Sequence, residues 1–181
     1  MSLADQLTLA RILAVPIVIV LFVANFDGHY WWATGVFIAA MTTDFFDGRV
    51  ARRYGYSSPL GSLLDPVADK VLVLTFLILL VDDGIFPGWM VALIVAREFL
   101  VSGLRLAAIE RGVVMQARDL GKLKTWSQAT AAAVGGFAAA GAWGKDVAWW
   151  ALLVALALTW LSGLDYARVA PGLLRGRPVS S

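Results

Sequence analysis

The sequence lacks cysteine altogether and has a single histidine, His29. The absence of cysteine excludes disulfide bonds and thiolate metal sites. One imidazole cannot assemble a histidine-based zinc site. A metal site in this chain would therefore be built from oxygen ligands.

The sequence also lacks the marks of a cleaved leader and of a domain boundary. The first apolar segment has no small-residue cleavage site after it and carries Arg11 in its first turns, so we expect it to be retained. The connections between apolar segments are short, which predicts one domain over residues 1–181. The first six residues, with Ser2 as a possible N-cap, are predicted to form a short interfacial lead-in helix. Residues 175–181 are predicted to form a flexible tail.

Apolar residues dominate the chain: 60% are hydrophobic and the mean hydropathy is +0.75. Soluble domains have an apolar share near one half, so this composition predicts an integral membrane protein. Six apolar segments are each about as long as the ~20 residues that cross a bilayer. We therefore predict an all-α bundle of six transmembrane helices, over Leu7–Phe26, Tyr30–Arg49, Leu63–Val81, Phe86–Ile109, Leu123–Trp143 and Val147–Ala167.

The basic residues that lie in or beside the connections of this predicted bundle fall almost entirely at alternate ones. The opposite connections hold a single one, Lys145. Positive residues favour the cytoplasmic side, which predicts cytoplasmic termini in a multi-pass protein of the cytoplasmic (inner) membrane. Tryptophans cluster near the other interface, as an aromatic belt would: Trp31, Trp32, Trp89, Trp143, Trp149 and Trp150.

Two pairs of aspartates lie at the cytoplasmic ends of the second and third segments. On helices, the i,i+3 spacing of Asp44 and Asp47 and the i,i+4 spacing of Asp65 and Asp69 give each pair one shared face. Ionised groups are costly there unless they bind a counter-charge. Two facing pairs would form a cage of hard oxygen ligands, which suits Mg²⁺, Mn²⁺ or Ca²⁺. Pro66 fits either the first position of the third helix or a kink in a helix begun earlier.

Small residues accompany these acids. Gly48 follows Asp47 directly, Ala51 lies one turn beyond it, and Gly61 lies one turn before Asp65. Residues without bulk let a ligand approach the backbone. They also permit close helix packing, and we favour the ligand interpretation because of the acids beside them.

Basic residues are concentrated in and after the fourth segment. Arg97 lies too deep in that segment to reach a lipid headgroup easily, so it should face a polar cavity or a partner. Because adjacent helical residues point apart, Glu98 is predicted to pair with Ser102 or Arg105 and not with Arg97. Arginine and lysine suit phosphate binding, and they recur at Arg118, Lys122 and Lys124.

The pattern Asp44-x2-Asp47-Gly48-x2-Ala51-Arg52-x8-Gly61-x3-Asp65-x3-Asp69 resembles the signature of the CDP-alcohol phosphotransferases at all eight fixed positions. The resemblance implies a six-helix membrane protein, usually a homodimer, that displaces CMP from a CDP-linked lipid with an alcohol. It implies that the four aspartates bind two divalent cations, Mg²⁺ or Mn²⁺, and that Asp69 is the general base. The residues it implies for CDP-diacylglycerol binding are Thr8, Arg11, Gly48, Ala51, Arg52, Ser58 and Gly61.

Arg97–Arg105 and Gly121–Thr125 are similar to one branch of that family, the phosphatidylglycerophosphate synthases. This similarity implies glycerol 3-phosphate as the acceptor and no nucleic-acid partner. The acceptor's phosphate would be held by Arg97, Arg105, Arg118, Lys122 and Lys124. Two alternatives stay open: the same chemistry with inositol phosphate, serine or phosphatidylglycerol as acceptor, or a transporter or ion pathway.

Overall fold

The described part of the chain is entirely helical. A computed structural model describes residues 3–54, 59–110 and 119–174, and the side chains within them except those of 3–5, 7, 44–54, 59–66, 69, 109–110, 119–122 and 164–174. Six helices and no strand occur in these ranges. In chain order they are α1 (Leu3–Val23), α2 (His29–Tyr54), α3 (Pro59–Asp82), α4 (Gly88–Glu110), α5 (Asp119–Ala139) and α6 (Lys145–Leu174).

Each of the six helices covers most of one predicted apolar segment, so the predicted helix number and order are confirmed. The shortest have 21 residues, which corresponds to about 30 Å of helix. One detail of the prediction is wrong: Leu3–Gln6 form the first turn of α1 and not a separate lead-in helix, because no breaker follows them. Of the two positions predicted for Pro66, the first position of the third helix is excluded, because α3 begins at Pro59 and Pro66 lies inside this helix begun earlier.

One helix within the described residues is long and apolar enough to cross a membrane, over Lys145–Gly163. A shorter apolar stretch covers Thr8–Val23. Helix α4 is long enough, but it carries Arg97, Glu98 and Arg105. Two of these residues, Arg97 and Arg105, are ones that the sequence marks as candidates for phosphate binding.

Three connections, α1–α2, α3–α4 and α5–α6, meet at one end of the bundle, which we call the connection end. Tyr30 Oη donates a hydrogen bond to Asp83 Oδ1 at 2.8 Å, and Lys145 Nζ donates to the Gly84 carbonyl at 3.1 Å. Each connection also contains a glycine with positive φ, a conformation that glycine adopts without strain. These are Gly28 (φ 79°), Gly84 (φ 67°) and Gly141 (φ 80°).

The apolar core occupies the half of the bundle nearest the connection end. The rings of Phe37 and Phe76 stack there with centroids 4.5 Å apart, and both side chains are fully buried. Helix α5 packs closely against this core, because a Cβ on Gly135 would approach the Phe86 ring to 2.6 Å and one on Gly136 would press against Thr34 Oγ1. Small residues thus let α5 pack against α2, α3 and the α3–α4 connection.

Candidate active site

The two aspartate pairs lie on consecutive helices at the end of the bundle opposite the connection end, which we call the acid end. Asp44 and Asp47 lie in the last three turns of α2, and Asp65 and Asp69 lie in the first three turns of α3. The two helices are separated by residues 55–58 alone. The backbone therefore brings both acid pairs to one end of the molecule, as the predicted cage requires.

The donor set at the acid end fits a hard divalent cation. Helical spacing gives each pair a common face on its own helix, and carboxylate oxygens are the ligands that Mg²⁺ and Mn²⁺ prefer. The four aspartate side chains lie outside the described ones, so their convergence stays a prediction. Among the side chains that are described, no group of three or more His, Asp or Glu could hold a metal ion.

The residues predicted to bind CDP-diacylglycerol divide into two groups. Thr8 and Arg11 of α1 are both buried, with 4% and 3% of their surfaces exposed. Arg11 is thus drawn into the protein interior, where a guanidinium requires polar partners. The remaining members lie outside the described side chains: Gly48, Ala51 and Arg52 in α2, Gly61 in α3, and Ser58 between the helices.

Helices α4 and α5 meet through the carboxylate of Glu98, which is 3% exposed. Glu98 Oε1 accepts a hydrogen bond from Lys124 Nζ at 2.5 Å, from Arg97 Nη1 at 3.2 Å and from Gln128 Nε2 at 3.2 Å. We call these four residues the Glu98 cluster. A buried carboxylate requires such compensation, and here two cations and an amide provide it.

Helices α6 and α3 complete the surroundings of the Glu98 cluster. From α6, Ser162 Oγ accepts from Arg97 Nη2 at 2.6 Å and Thr159 Oγ1 accepts from Gln128 Nε2 at 2.7 Å. From α3, Lys70 Nζ donates to Ser102 Oγ at 2.5 Å and lies 4.0 Å from Glu98 Oε2. Four helices therefore share one polar interior between the apolar core and the acid end.

The predicted acceptor-binding residues occupy three different situations. Arg97 and Lys124 are buried in the Glu98 cluster, and Arg105 is half-buried on α4. Lys122 lies in α5 with its side chain outside the described ones, and Arg118 lies outside the described residues. The structure thus brings together Arg97 and Lys124, and leaves the phosphate role of the whole set as a prediction.

The predicted pairing of Glu98 is wrong. Glu98 pairs with its neighbour Arg97, because the long arginine side chain bends back far enough to overcome the angular offset between adjacent helical positions. Ser102 Oγ does contact Glu98, but it donates to the backbone carbonyl at 2.6 Å and not to the carboxylate.

Sequence reasoning missed Lys70, Gln128, Thr159 and Ser162 as members of this polar interior. The sequence does contain a feature that marks all four: each is a polar residue inside an otherwise apolar segment. Gly163 adds a second signal: a Cβ there would lie 3.2 Å from Arg97 Nε, so the glycine leaves room for the guanidinium.

Comparison with known proteins assigns the chain to a family. A model described as CDP-alcohol phosphatidyltransferase matches residues 1–161. A Bacillus subtilis protein named CDP-diacylglycerol–glycerol-3-phosphate 3-phosphatidyltransferase is 42% identical over 140 residues, which cover 70% of this chain and 72% of the relative. A Pseudomonas fluorescens protein of the same name is 38% identical over 135 residues, covering 74% and 68%.

A Mycobacterium tuberculosis protein named probable phosphatidylglycerophosphate synthase is 43% identical over 137 residues, which cover 72% of this chain and 63% of the relative. These matches confirm the family predicted from the Asp44–Asp69 pattern, and the relatives bear the names of the predicted branch. The chain belongs to the CDP-alcohol phosphatidyltransferase family.

Proposed function

We propose that this protein transfers the phosphatidyl group of CDP-diacylglycerol to glycerol 3-phosphate in phospholipid biosynthesis, releasing phosphatidylglycerol phosphate and CMP. The observation that carries the proposal is 42% identity, over 70% of the chain, to a relative named for this reaction. The Glu98 cluster supports a phosphorylated acceptor, because it gathers cations in the interior next to the acid-bearing helix α3.

Asp44, Asp47, Asp65 and Asp69 are the proposed ligands of two divalent cations, Mg²⁺ or Mn²⁺. Bound there, the cations would neutralise the diphosphate and stabilise the entering and leaving oxygens. Asp69 is also the proposed general base, which accepts the proton of the primary hydroxyl of glycerol 3-phosphate as that oxygen attacks the β-phosphorus. The bond between that phosphorus and the oxygen of CMP breaks, and CMP leaves.

The donor substrate is proposed to lie along α1, α2 and the start of α3. The nucleotide and its phosphates would be bound by Arg11, Arg52 and the hydroxyls of Thr8 and Ser58. Guanidinium groups and hydroxyls donate effective hydrogen bonds to phosphate oxygens. Gly48, Ala51 and Gly61 would let the nucleotide approach the helix backbone. The burial of Thr8 and Arg11 supports this placement, since it puts polar groups inside the bundle on the helix that packs against α2 and α3.

The acceptor's phosphate is proposed to bind the basic residues of α4 and α5. Arg97 and Lys124 would provide a fixed positive charge, because their partners hold them in one geometry. Arg105 lies further along α4 towards the acid end and is half-buried, which leaves it within reach of a ligand. Arg118 and Lys122 precede Lys124 in the chain and would complete the set.

We further propose that the chain is a single membrane domain with six spans and cytoplasmic termini, and that it forms a homodimer in the inner membrane. Six helices of 21 to 30 residues are long enough to span a bilayer. The tryptophans of the predicted belt lie at the connection end, where Trp31, Trp32, Trp89 and Trp150 are each at least half exposed. These exposed tryptophans support a membrane interface at the connection end, and the basic connections at the other end favour the acid end as the cytoplasmic one.

The purified protein, incubated with CDP-diacylglycerol and Mg²⁺, tests the proposal through CMP release with a panel of acceptors. We expect release with glycerol 3-phosphate and much less with inositol phosphate, serine or phosphatidylglycerol. EDTA should stop it, and Mn²⁺ or Mg²⁺ should restore it. CMP release that favours another acceptor would contradict the assignment, and solute flux in proteoliposomes without CMP release would support a transporter.

A further inference from the structure

Three cations in the polar interior share one carboxylate. Lys124 Nζ, Arg97 Nη1 and Lys70 Nζ lie 2.5, 3.2 and 4.0 Å from the carboxylate oxygens of Glu98. Among the described side chains these are the ion pairs that the three cations form, so these four side chains together carry two more positive charges than negative ones. Such a group in a protein interior is stabilised by further negative charge beside it, which an anionic ligand can provide.

Lys70 is the cation of the three that a ligand can reach. Its side chain is 39% exposed, compared with 4% for Arg97 and 10% for Lys124. Lys70 follows Asp69 about three turns into α3, inside the proposed membrane span, where an ammonium group facing lipid would be disfavoured. The exposed part of Lys70 should therefore face a polar cavity and not hydrocarbon.

Neighbouring groups hold Lys70 without using all of its hydrogen-bonding capacity. An ammonium group has three donors. One of them is directed to Ser102 Oγ at 2.5 Å, while the Glu98 carboxylate lies at the outer limit of an ion pair, 4.0 Å away. Arg97 and Arg105 of α4 lie close enough for their positive charges to act on Lys70. Towards the described groups, Lys70 is thus an oriented cation that directs one of its three donors to Ser102, beside further positive charge.

Lys70 lies between the two halves of the proposed site, the aspartates of α3 and the basic residues of α4. It follows Asp69 directly in α3, while its side chain contacts Ser102 of α4. A molecule whose hydroxyl approaches Asp69 and whose negative group lies near α4 would pass close to the Lys70 ammonium. Glycerol 3-phosphate has such a hydroxyl and such a group at the two ends of a short chain.

We propose that Lys70 is a further ligand for the phosphate of the acceptor, with Ser102 and Glu98 as the residues that position it. This inference rests on the proposed function and refines it, because it adds an α3 residue to a pocket otherwise drawn from α4 and α5. Arg97 and Lys124 then provide buried background charge, and Lys70 makes the accessible contact.

The test compares Lys70→Met with Lys145→Met, the same change at the connection end. Both purified variants are assayed for CMP release while glycerol 3-phosphate and CDP-diacylglycerol are varied separately. Loss of one charge-assisted hydrogen bond should raise the KM for glycerol 3-phosphate about tenfold or more in Lys70→Met. The KM for CDP-diacylglycerol should stay near the wild-type value, and Lys145→Met should leave both unchanged.

Two further variants separate ligand binding from folding. Lys70→Gln keeps a donor for Ser102 and should show the same rise in KM with little change in melting temperature. Ser102→Ala should raise the same KM by a smaller factor, because it removes the positioning contact and keeps the charge. Inorganic phosphate, used as a competitor of glycerol 3-phosphate, should inhibit Lys70→Gln less than wild type.

An unchanged KM for glycerol 3-phosphate in a folded Lys70→Gln protein would overturn the inference and leave the proposed function intact. Equal rises in the KM for both substrates would overturn it too, since they would indicate a general structural role. Failure of the wild-type protein to use glycerol 3-phosphate would instead contradict the proposed function itself.

Discussion

The two ends of the bundle handle polar groups in different ways. At the connection end, polar groups form separate pairs near the surface, as in Tyr30 with Asp83 and Lys145 with the Gly84 carbonyl. In the polar interior towards the acid end, Lys70, Arg97 and Lys124 all approach one carboxylate. Each pair of the first kind is satisfied by its own partner and suits a structural role. The second kind has more cations than carboxylates among the described side chains, which suits the binding of an anion.

The change with the largest expected effect is Asp69→Asn at the acid end. Removal of a general base costs about 10²- to 10⁴-fold in rate, so we expect a loss of that size in kcat for CMP release. Asp83→Asn, at the connection end, is the matched control and should change kcat little. Wild-type turnover in a purified Asp69→Asn protein would remove this aspartate from the base role.

Glu98→Ala should produce the largest loss of stability. It leaves Arg97 and Lys124 buried without their carboxylate, a situation that costs about 3–5 kcal/mol. Thermal unfolding of the detergent-solubilised protein measures the loss. The double variant Glu98→Ala, Lys124→Met should be more stable than Glu98→Ala alone, because it also removes an unpaired buried charge. If the stability losses of Glu98→Ala and Lys124→Met alone add up to the loss in the double variant, the two side chains do not interact, and this would contradict the Glu98 cluster.

Gly136→Ala tests the tight packing near the connection end. The added methyl group would press against Thr34 Oγ1 and lie 3.0 Å from the Phe76 ring, so we expect a loss of about 1–3 kcal/mol in unfolding free energy. Gly103→Ala is the control of opposite sign. A Cβ at Gly103 meets nothing within 4 Å, and alanine favours a helix by about 0.5–1 kcal/mol over glycine. Equal effects at both glycines would show that helix propensity, and not packing, decides the result.

Tyr30→Phe should have the smallest effect of the four. It removes the hydrogen bond to Asp83 near the surface, worth about 1 kcal/mol, and leaves the edge-to-face contact with Phe22 in place. A small drop in melting temperature with an unchanged KM for glycerol 3-phosphate is expected. A change in that KM would mean that the two ends are coupled, and the contrast between them would need revision.

Most of the fold could be predicted from the sequence. Apolar segment lengths and the polar breaks between them set the number and order of the helices, and the observed bounds differ from the predicted ones by a few residues. The largest differences fall at the ends of α2 and α6, which are predicted at Arg49 and Ala167 and lie at Tyr54 and Leu174. Local propensity lets a helix extend beyond its apolar part until a breaker stops it, so hydropathy locates helix bodies better than helix ends.

Less of the candidate site could be predicted. The acid pattern and Arg97, Arg105 and Lys124 were identified from residue type and spacing. The predicted pairing of Glu98 was wrong, because a long arginine side chain can bend well away from the direction of its Cα–Cβ bond. The roles of Ser162 and Thr159 were missed, although Ser162 contacts a residue 65 positions away in sequence.

By itself, the sequence determined the family, the all-helical architecture and the spacing of the aspartates, because these depend on residue type and on periodicity along one helix. The tertiary structure alone decided that Lys70, Arg97, Lys124 and Gln128 surround Glu98, and that α6 provides their hydroxyl partners. Contacts between helices depend on how each helix is rotated and displaced relative to its neighbours, and local periodicity does not specify this.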